Sequence, residues 1–448
     1  MPRRTHISIV VFAAAVTGLA LARAGVERIA AAAAQGSLQA PRFEVDPLWP
    51  KPLPNHWVLG QTIGVAVSAD DHVWVVHRGD ATLNIMTEGN NTKGPVWTVT
   101  SDQPWLTLPG ASRGGTGNGT LAFSISGPPV SGTAHLTVTV TGNAASGEEP
   151  AVCCTGAPPV LEFDRDGSLV GSWGGPGQGF EWPHANHGIT IDHKGNVWIG
   201  GNDPKDAQVL KFTREGKFLL QVGHSGRNAG SNDRENFWRA AKVSVDPAMN
   251  EAYVADGYGN KRVAVLDADT GAFKRYWGAY GNKPDDANLG TYDPDAPRAK
   301  QFRSPVHCAD ISRDGLIYVC DRANDRIQVF RRDGTFVQEG LVAPRTRGDG
   351  SVWDVAFSRD PQQRFLYVAD GRNERVYVLL RENLQPLTSF GDGGRQPGQF
   401  FGVHSIATDS KGNVYTAETY EGKRLQKFVY KGLAYVTKAN QGTVWPKR

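Results

Sequence analysis

The chain has 448 residues, with 48 basic against 45 acidic side chains, a formal charge of +3, and 53 glycines and 27 prolines. So balanced a charge offers no strong field to nucleic acid or an anionic membrane surface, and nucleic-acid binding is set aside as a first reading. The glycine and proline content fits a turn-rich β protein, and the length allows a large core.

At the N-terminus, Arg3 and Arg4 are followed by an apolar run from Ile7 to Leu21 and small residues through Ala24. Charged, apolar and cleavable parts in that order predict an export signal over residues 1–24, then a linker over 25–41. The mature protein is expected to be periplasmic or secreted, without a membrane span after cleavage. Phe43-Glu-Val-Asp follows, and then the first of six copies of a strand-turn-strand pattern.

The copies begin Gly64-Val-Ala-Val-Ser, His187-Gly-Ile-Thr-Ile-Asp, Ala241-Lys-Val-Ser-Val-Asp, His307-Cys-Ala-Asp-Ile-Ser, Trp353-Asp-Val-Ala-Phe-Ser and His404-Ser-Ile-Ala-Thr-Asp. Each passes through turn chemistry such as Lys194-Gly-Asn or Asp314-Gly into a second strand, then a third such as Val209-Leu-Lys-Phe, and a fourth ending at Trp173, Val222, Trp277 or Phe390. Four antiparallel strands recurring every 40 to 65 residues or so predict an all-β fold, a six-bladed β-propeller over 42–83 and 158–435. The last copy stops after its third strand, so the segment around Phe43 is expected to supply the missing outer strand and close the ring, leaving 436–448 as a tail.

The first copy is interrupted over 84–147 by a segment rich in Gly, Ser and Thr, with a linker over 148–157. Its period-two runs, among them Trp97-Thr-Val-Thr-Ser and His135-Leu-Thr-Val-Thr-Val, predict a small β-sandwich-like module. Four cysteines allow three complete pairings in an oxidising compartment. Cys308 and Cys320 lie on the two arms of one predicted hairpin, whereas Cys153 and Cys154 are vicinal in a loop.

Aligned on their apolar alternation, the six first positions are Ile63, His187, Ala241, His307, Trp353 and His404. Histidine fills only 11 of 448 positions, so its return on every second copy is not a matter of composition. In a closed ring, three imidazoles from alternate blades converge on the axis as metal ligands and leave a fourth position open for water or substrate. The competing account has them hydrogen-bonding within the channel. Arg78, Tyr258 and Arg322, at the ends of second strands, share that rim, as do long connections over 223–239 and 278–303. Arg262, Arg326, Arg375 and Arg424 recur beyond the rim as a repeat-wide ion pair would. His77 beside Arg78 fits either a supporting role at the site or a solvent-facing one; His184 and His193 are left out.

Tyr318-Val-Cys-Asp-Arg-Ala-Asn-Asp-Arg-Ile-Gln-Val-Phe resembles an NHL repeat, and at the rim the likeness narrows to peptidyl-α-hydroxyglycine α-amidating lyase. The resemblance implies zinc on His187, His307 and His404, with catalytic Arg78 (in His-Arg-Gly-Asp), Tyr258 (in Asp-Gly-Tyr) and Arg322 (in Asp-Arg-Ala-Asn). It implies cleavage of a carbon-nitrogen bond in a small-molecule or peptide substrate of α-hydroxyglycine type. Calcium in the channel is doubtful. Ser405 stands where that family has an aspartate that helps hold it, although the Ile189 carbonyl matches one of its ligands. Gly402 replaces a methionine, and the family's disulfide positions are not cysteines. Trp97, Trp105 and the Pro-Gly after them resemble carbohydrate-associated BACON modules. The alternative function is a non-catalytic propeller whose rim and inserted module bind a protein or glycan. A lactonase-like hydrolase would need carboxylate-bound calcium, for which no acidic cluster stands out in the sequence.

Overall fold

The computed structural model describes residues 38–78, 83–85, 96–101, 106–107, 114–116, 119–121, 124–125, 136–141, 155–443 and 445–446. The expected signal, most of the 25–41 linker and the Cys153-Cys154 pair lie outside them. Six four-stranded antiparallel sheets form the blades. In blade 2 the strands run from the axis outward as Asn186–Ile191, Val197–Gly201, Val209–Phe212 and Phe218–Val222, and blades 3 to 5 repeat that order.

Burial explains the strand compositions. Second strands such as Val197–Gly201, Glu251–Asp256 and Ile317–Asp321 are buried throughout, because neighbouring blades cover both faces, and they read as runs of β-branched and aromatic residues. Outer strands such as Leu169–Trp173 and Phe218–Val222 are half covered and mix polar with apolar residues. One apolar cluster fills each of the six blade interfaces among the described residues. The one joining Val65, Val73 and Leu161 of blade 1 to Tyr415, Ala417 and Leu425 of blade 6 closes the ring.

Closure works as expected from the sequence. Gln39–Asp46 pairs antiparallel with Arg424–Tyr435, Gln39 opposite Tyr435 and Asp46 opposite Lys427. The strand starts inside the segment read as linker, since the edge left by the long last strand continues past the sixth copy. Blade 1 is interrupted between its second strand, Val73–His77, and its third, Val160–Phe163. In the segment read as an insertion, Val96–Ser101 pairs with Leu136–Thr141 and Gly114–Thr116, Leu83–Ile85 with Gly119–Leu121, and Leu106–Thr107 with Ser124–Ile125. Trp105 and the side chain of Trp97 lie outside the described residues. Thr155–Gly156, in the second linker, pairs in parallel with Trp57–Val58.

The tight hairpins have a common cause. In blade 6 the Asp409 carboxylate accepts the Lys411 and Asn413 amides, the Asn413 side chain and the Tyr415 hydroxyl. Gly412 takes a φ of 83° that a β-carbon would strain. Cys308 faces Cys320 across the first hairpin of blade 4, and the two form a disulfide. Ion pairs Arg262–Asp256, Arg326–Asp321 and Arg424–Glu418, each at 2.7 Å, recur as expected. Arg375 departs from the pattern: its Nε donates to the Asn373 carbonyl, and Asp370 is left to amide donors. Among the described residues no helix is long and apolar enough to cross a membrane.

Candidate metal centre and its rim

Pairing between first and second strands slips by one residue at the axis. The extra residue is Ile63 in blade 1, Ala241 in blade 3, His307 in blade 4 and His404 in blade 6; in blade 2 it is Gly188, next to His187. Such a bulge bends a strand and re-aims a side chain. The three rings meet with centroids 4.7, 4.8 and 5.0 Å apart, and their facing nitrogens lie within 4.8 Å of one another.

The intervening blades orient the rings. His187 Nδ1 donates to the Ala241 carbonyl at 2.7 Å and His307 Nδ1 to the Trp353 carbonyl, both from the equivalent first position. The Ile63 carbonyl plays that part more weakly for His404. It raises the His404 pKa, yet Nδ1 makes no hydrogen bond of good geometry. Burial pushes His187 down to about 3, with Arg78 adding to the effect. Burial also holds His307 and His404 well below the usual range, assisted by the neighbouring imidazoles and Arg322. All three are therefore neutral near pH 7.

The Tyr258 hydroxyl lies 3.1 Å from His187 Nε2 and 3.0 Å from His307 Nε2, and it accepts a bond from Arg322 Nη1 at 3.0 Å. Both Nε2 atoms are acceptors, since their rings spend the Nδ1 proton on backbone carbonyls. One phenolic proton cannot serve two acceptors, so this cluster is one positive centre short. A tetrahedral cation that takes neutral imidazole nitrogens fits that deficit, and the donor set suits zinc.

Of the three rim residues read from the sequence, Tyr258 meets two of the histidines and Arg322 meets Tyr258, while Arg78 lies near enough for its charge to lower the His187 pKa. Arg78 reaches the Gln61 and Asn202 side chains and the Asn186 carbonyl. Arg322 lies over the Trp353 ring at 4.5 Å. Tyr258 follows Gly257, where a β-carbon would overlap the Val306 backbone, and Ser304 Oγ bonds to the carbonyls of both. His77 departs from both readings given it: it is buried, accepts the Gly60 amide, and sends Nε2 to the Pro158 carbonyl at 2.9 Å. It ties the chain re-entering blade 1 rather than supporting the site.

Below the histidines, Lys242, Asp310 and Asp354 meet in the channel, a grouping invisible in the sequence because each comes from a different blade. Lys242 Nζ lies 3.0 Å from Asp310 and 2.7 Å from Asp354. Ser405 Oγ donates to Asp354 at 2.8 Å and Ser244 Oγ to Asp310 at 2.9 Å. The flanking carboxylates hold the Lys242 pKa above its ordinary value against burial, so the acidic pair already has its cation.

No family model matches the chain. It is 37% identical over 154 residues to peptidyl-glycine alpha-amidating monooxygenase B of Xenopus laevis, covering 34% of this chain but 16% of that relative. A probable peptidyl-alpha-hydroxyglycine alpha-amidating lyase of Caenorhabditis elegans is 29% identical over 146 residues, 32% of this chain and 36% of that one. The similarity is to amidating enzymes. NHL repeat-containing protein 3 of Mus musculus matches more extensively, at 27% over 292 residues, 61% of this chain and 73% of its own. A streptogramin B lyase structure aligns over 88% of this chain and 98% of its own with a TM-score of 0.42 and 12% identity. The chain is a six-bladed β-propeller with sequence similarity to an NHL repeat-containing protein and to amidating enzymes.

Proposed function

We propose that the protein is an exported lyase that binds zinc through His187, His307 and His404 and cleaves an α-hydroxyglycine-like substrate into an amide and glyoxylate. The observation that carries this is the cluster of two unprotonated Nε2 atoms and a guanidinium around the Tyr258 hydroxyl. Similarity to the amidating enzymes supports it, over a segment that spans 16% of the Xenopus relative. When bound, zinc would act as a Lewis acid toward the substrate oxygen.

The chain's own groups do the rest. Arg322 Nη1 donates to the phenol oxygen of Tyr258 at 3.0 Å, a charged donor aimed at the atom that handles the proton. As the phenolate, its own proton already released, that oxygen takes the proton of the substrate hydroxyl. The hydroxyl oxygen then forms the aldehyde C=O, the carbon-nitrogen pair leaves on nitrogen, and the proton passes to that nitrogen. Arg78 stands beside this centre to hold substrate charge, and a guanidinium suits that task because it keeps its own charge and presents a rigid donor fork.

Export is part of the proposal, supported by the N-terminal pattern and by the disulfide between Cys308 and Cys320, which persists in oxidising compartments. The test couples metal analysis to a glyoxylate-release assay on an N-acyl-α-hydroxyglycine. Stoichiometric zinc and release that both vanish in His187→Ala, His307→Ala, His404→Ala support the lyase. Metal-free protein that still binds a protein or glycan would favour the recognition reading.

A further inference from the structure

Arg239 was not among the residues singled out from the sequence, and the structure places it at the same rim. Its φ of 64° puts a side chain with a β-carbon in the left-handed region, a strained conformation that persists only where surroundings impose it. Those surroundings are explicit. The Arg239 amide donates to the Asp206 carbonyl at 2.8 Å, and its own carbonyl accepts the Tyr258 amide at 3.2 Å. Its guanidinium lies 5.5 Å from the centre of the Tyr258 ring, while that of Arg322 lies 5.4 Å from the same ring.

Asn202 links Arg239 to Arg78. Arg239 Nε donates to the Asn202 carbonyl at 2.6 Å, and Arg78 Nη2 donates to the Asn202 side-chain oxygen at 2.5 Å. Asn202 itself is pinned by its amide to the Ala185 carbonyl at 2.9 Å. Two guanidiniums are thus drawn to one residue, and among the described residues no carboxylate forms an ion pair with either. Arg322 has only Asp349, at 3.8 Å. Holding like charges together raises the free energy of the empty site, and an anion placed between them recovers it. Both cations act on His187, lowering its pKa, so their field reaches the metal centre.

We infer that Arg239 and Arg78 form a clamp over Asn202 that grips the substrate's carboxylate, leaving Arg322 to serve Tyr258, and that Arg239 makes the site selective for a free acid. This deepens the lyase reading and rests on it for the identity of the substrate. Two fixed guanidinium forks match a planar carboxylate, whereas an ester or amide at that position accepts through its carbonyl oxygen without the opposing charge that strengthens the bond.

The test uses hippurate, which has the acyl-glycine carboxylate but no hydroxyl to react, and its neutral amide, each titrated calorimetrically into zinc-loaded protein. Arg239→Gln is expected to weaken hippurate binding by about tenfold or more, the effect of losing one charge-assisted hydrogen bond, with less than about twofold change for the amide. Arg239→Lys should recover part of the difference, and it serves as the readout should Arg239→Gln melt early. Equal weakening of both ligands, no change in either, or no hippurate binding by the wild type overturns the clamp. Glyoxylate release is scored separately: hippurate binding that depends on Arg239 in a protein without turnover would retain the clamp and end the lyase reading.

Discussion

The Tyr258 hydroxyl and the His307 Nε2 face each other at 3.0 Å, and both are groups whose remaining partners are already assigned. Tyr258 is held by Arg322, and His307 spends its other nitrogen on the Trp353 carbonyl. The hydrogen bonds of the tyrosine oxygen thus run to His187, His307 and Arg322, all residues of the candidate site.

Tyr258→Phe removes that oxygen and keeps the ring between Arg239 and Arg322. Glyoxylate release is expected to fall by about 10²- to 10⁴-fold, the usual contribution of a positioned acid or base. Zinc content and the melting temperature should stay near wild type. A variant with near-normal kcat would remove Tyr258 from the reaction.

Single substitution of His307 by Ala should abolish tight zinc binding, because two imidazoles do not complete a protein site that needs three. Changing a ring's hydrogen-bonding environment is expected to cost less, about 10- to 100-fold in zinc affinity for lost orientation of one ligand. Ala241 and Trp353 use backbone carbonyls, so Ala241→Ser should leave zinc affinity largely intact. Competition with a chromophoric chelator measures all three proteins.

Lys242→Met leaves Asp310 and Asp354 facing each other in the channel without a cation. Removing one partner of a buried charge cluster is expected to destabilise the protein by about 3–5 kcal/mol, read from denaturant unfolding. Millimolar calcium should restore part of the loss in this variant, because it supplies the missing charge to the two carboxylates. Wild-type stability should not respond to calcium or to a calcium chelator, and a response would show that Lys242 does not fill that place.

Asp370, which among the described residues makes no ion pair, has its pKa raised to about 7 by burial, against the opposing pull of Asn373 and the more distant Arg375. A carboxyl with a folded pKa above its unfolded value binds more protons when folded, so it costs stability as pH rises from about 4 through 7. The melting temperature of the wild type should therefore drop between pH 5 and pH 8 by more than that of Asp370→Asn. Parallel curves for the two proteins would show that Asp370 titrates normally. Asp325, also raised to about 7 and sensitive to the charge on Asp370, faces the same interface and contributes to the wild-type slope in the same direction.

Much of this was legible along the chain. Period-two alternation, hairpin turns and a fixed repeat are local, so they disclosed six blades, the closing role of the segment around Phe43, and the shared register of His187, His307 and His404. Residues at equivalent positions of equivalent blades must meet near the axis, which is why symmetry alone brought Arg78, Tyr258 and Arg322 to the same rim. His77 was misjudged because its neighbour in sequence is a site residue, while its side chain turns inward to the backbone at Pro158.

What the amino-acid order determined by itself is the repeat, and with it the ring and the histidine triad at its centre. Only the folded chain decided where the remaining charges meet. Lys242 joins Asp310 and Asp354 from separate blades, and Asn202 draws Arg78 and Arg239 together across a gap of more than a hundred residues. Such contacts depend on side-chain reach and backbone bulges across closed blade interfaces, and no periodicity encodes them.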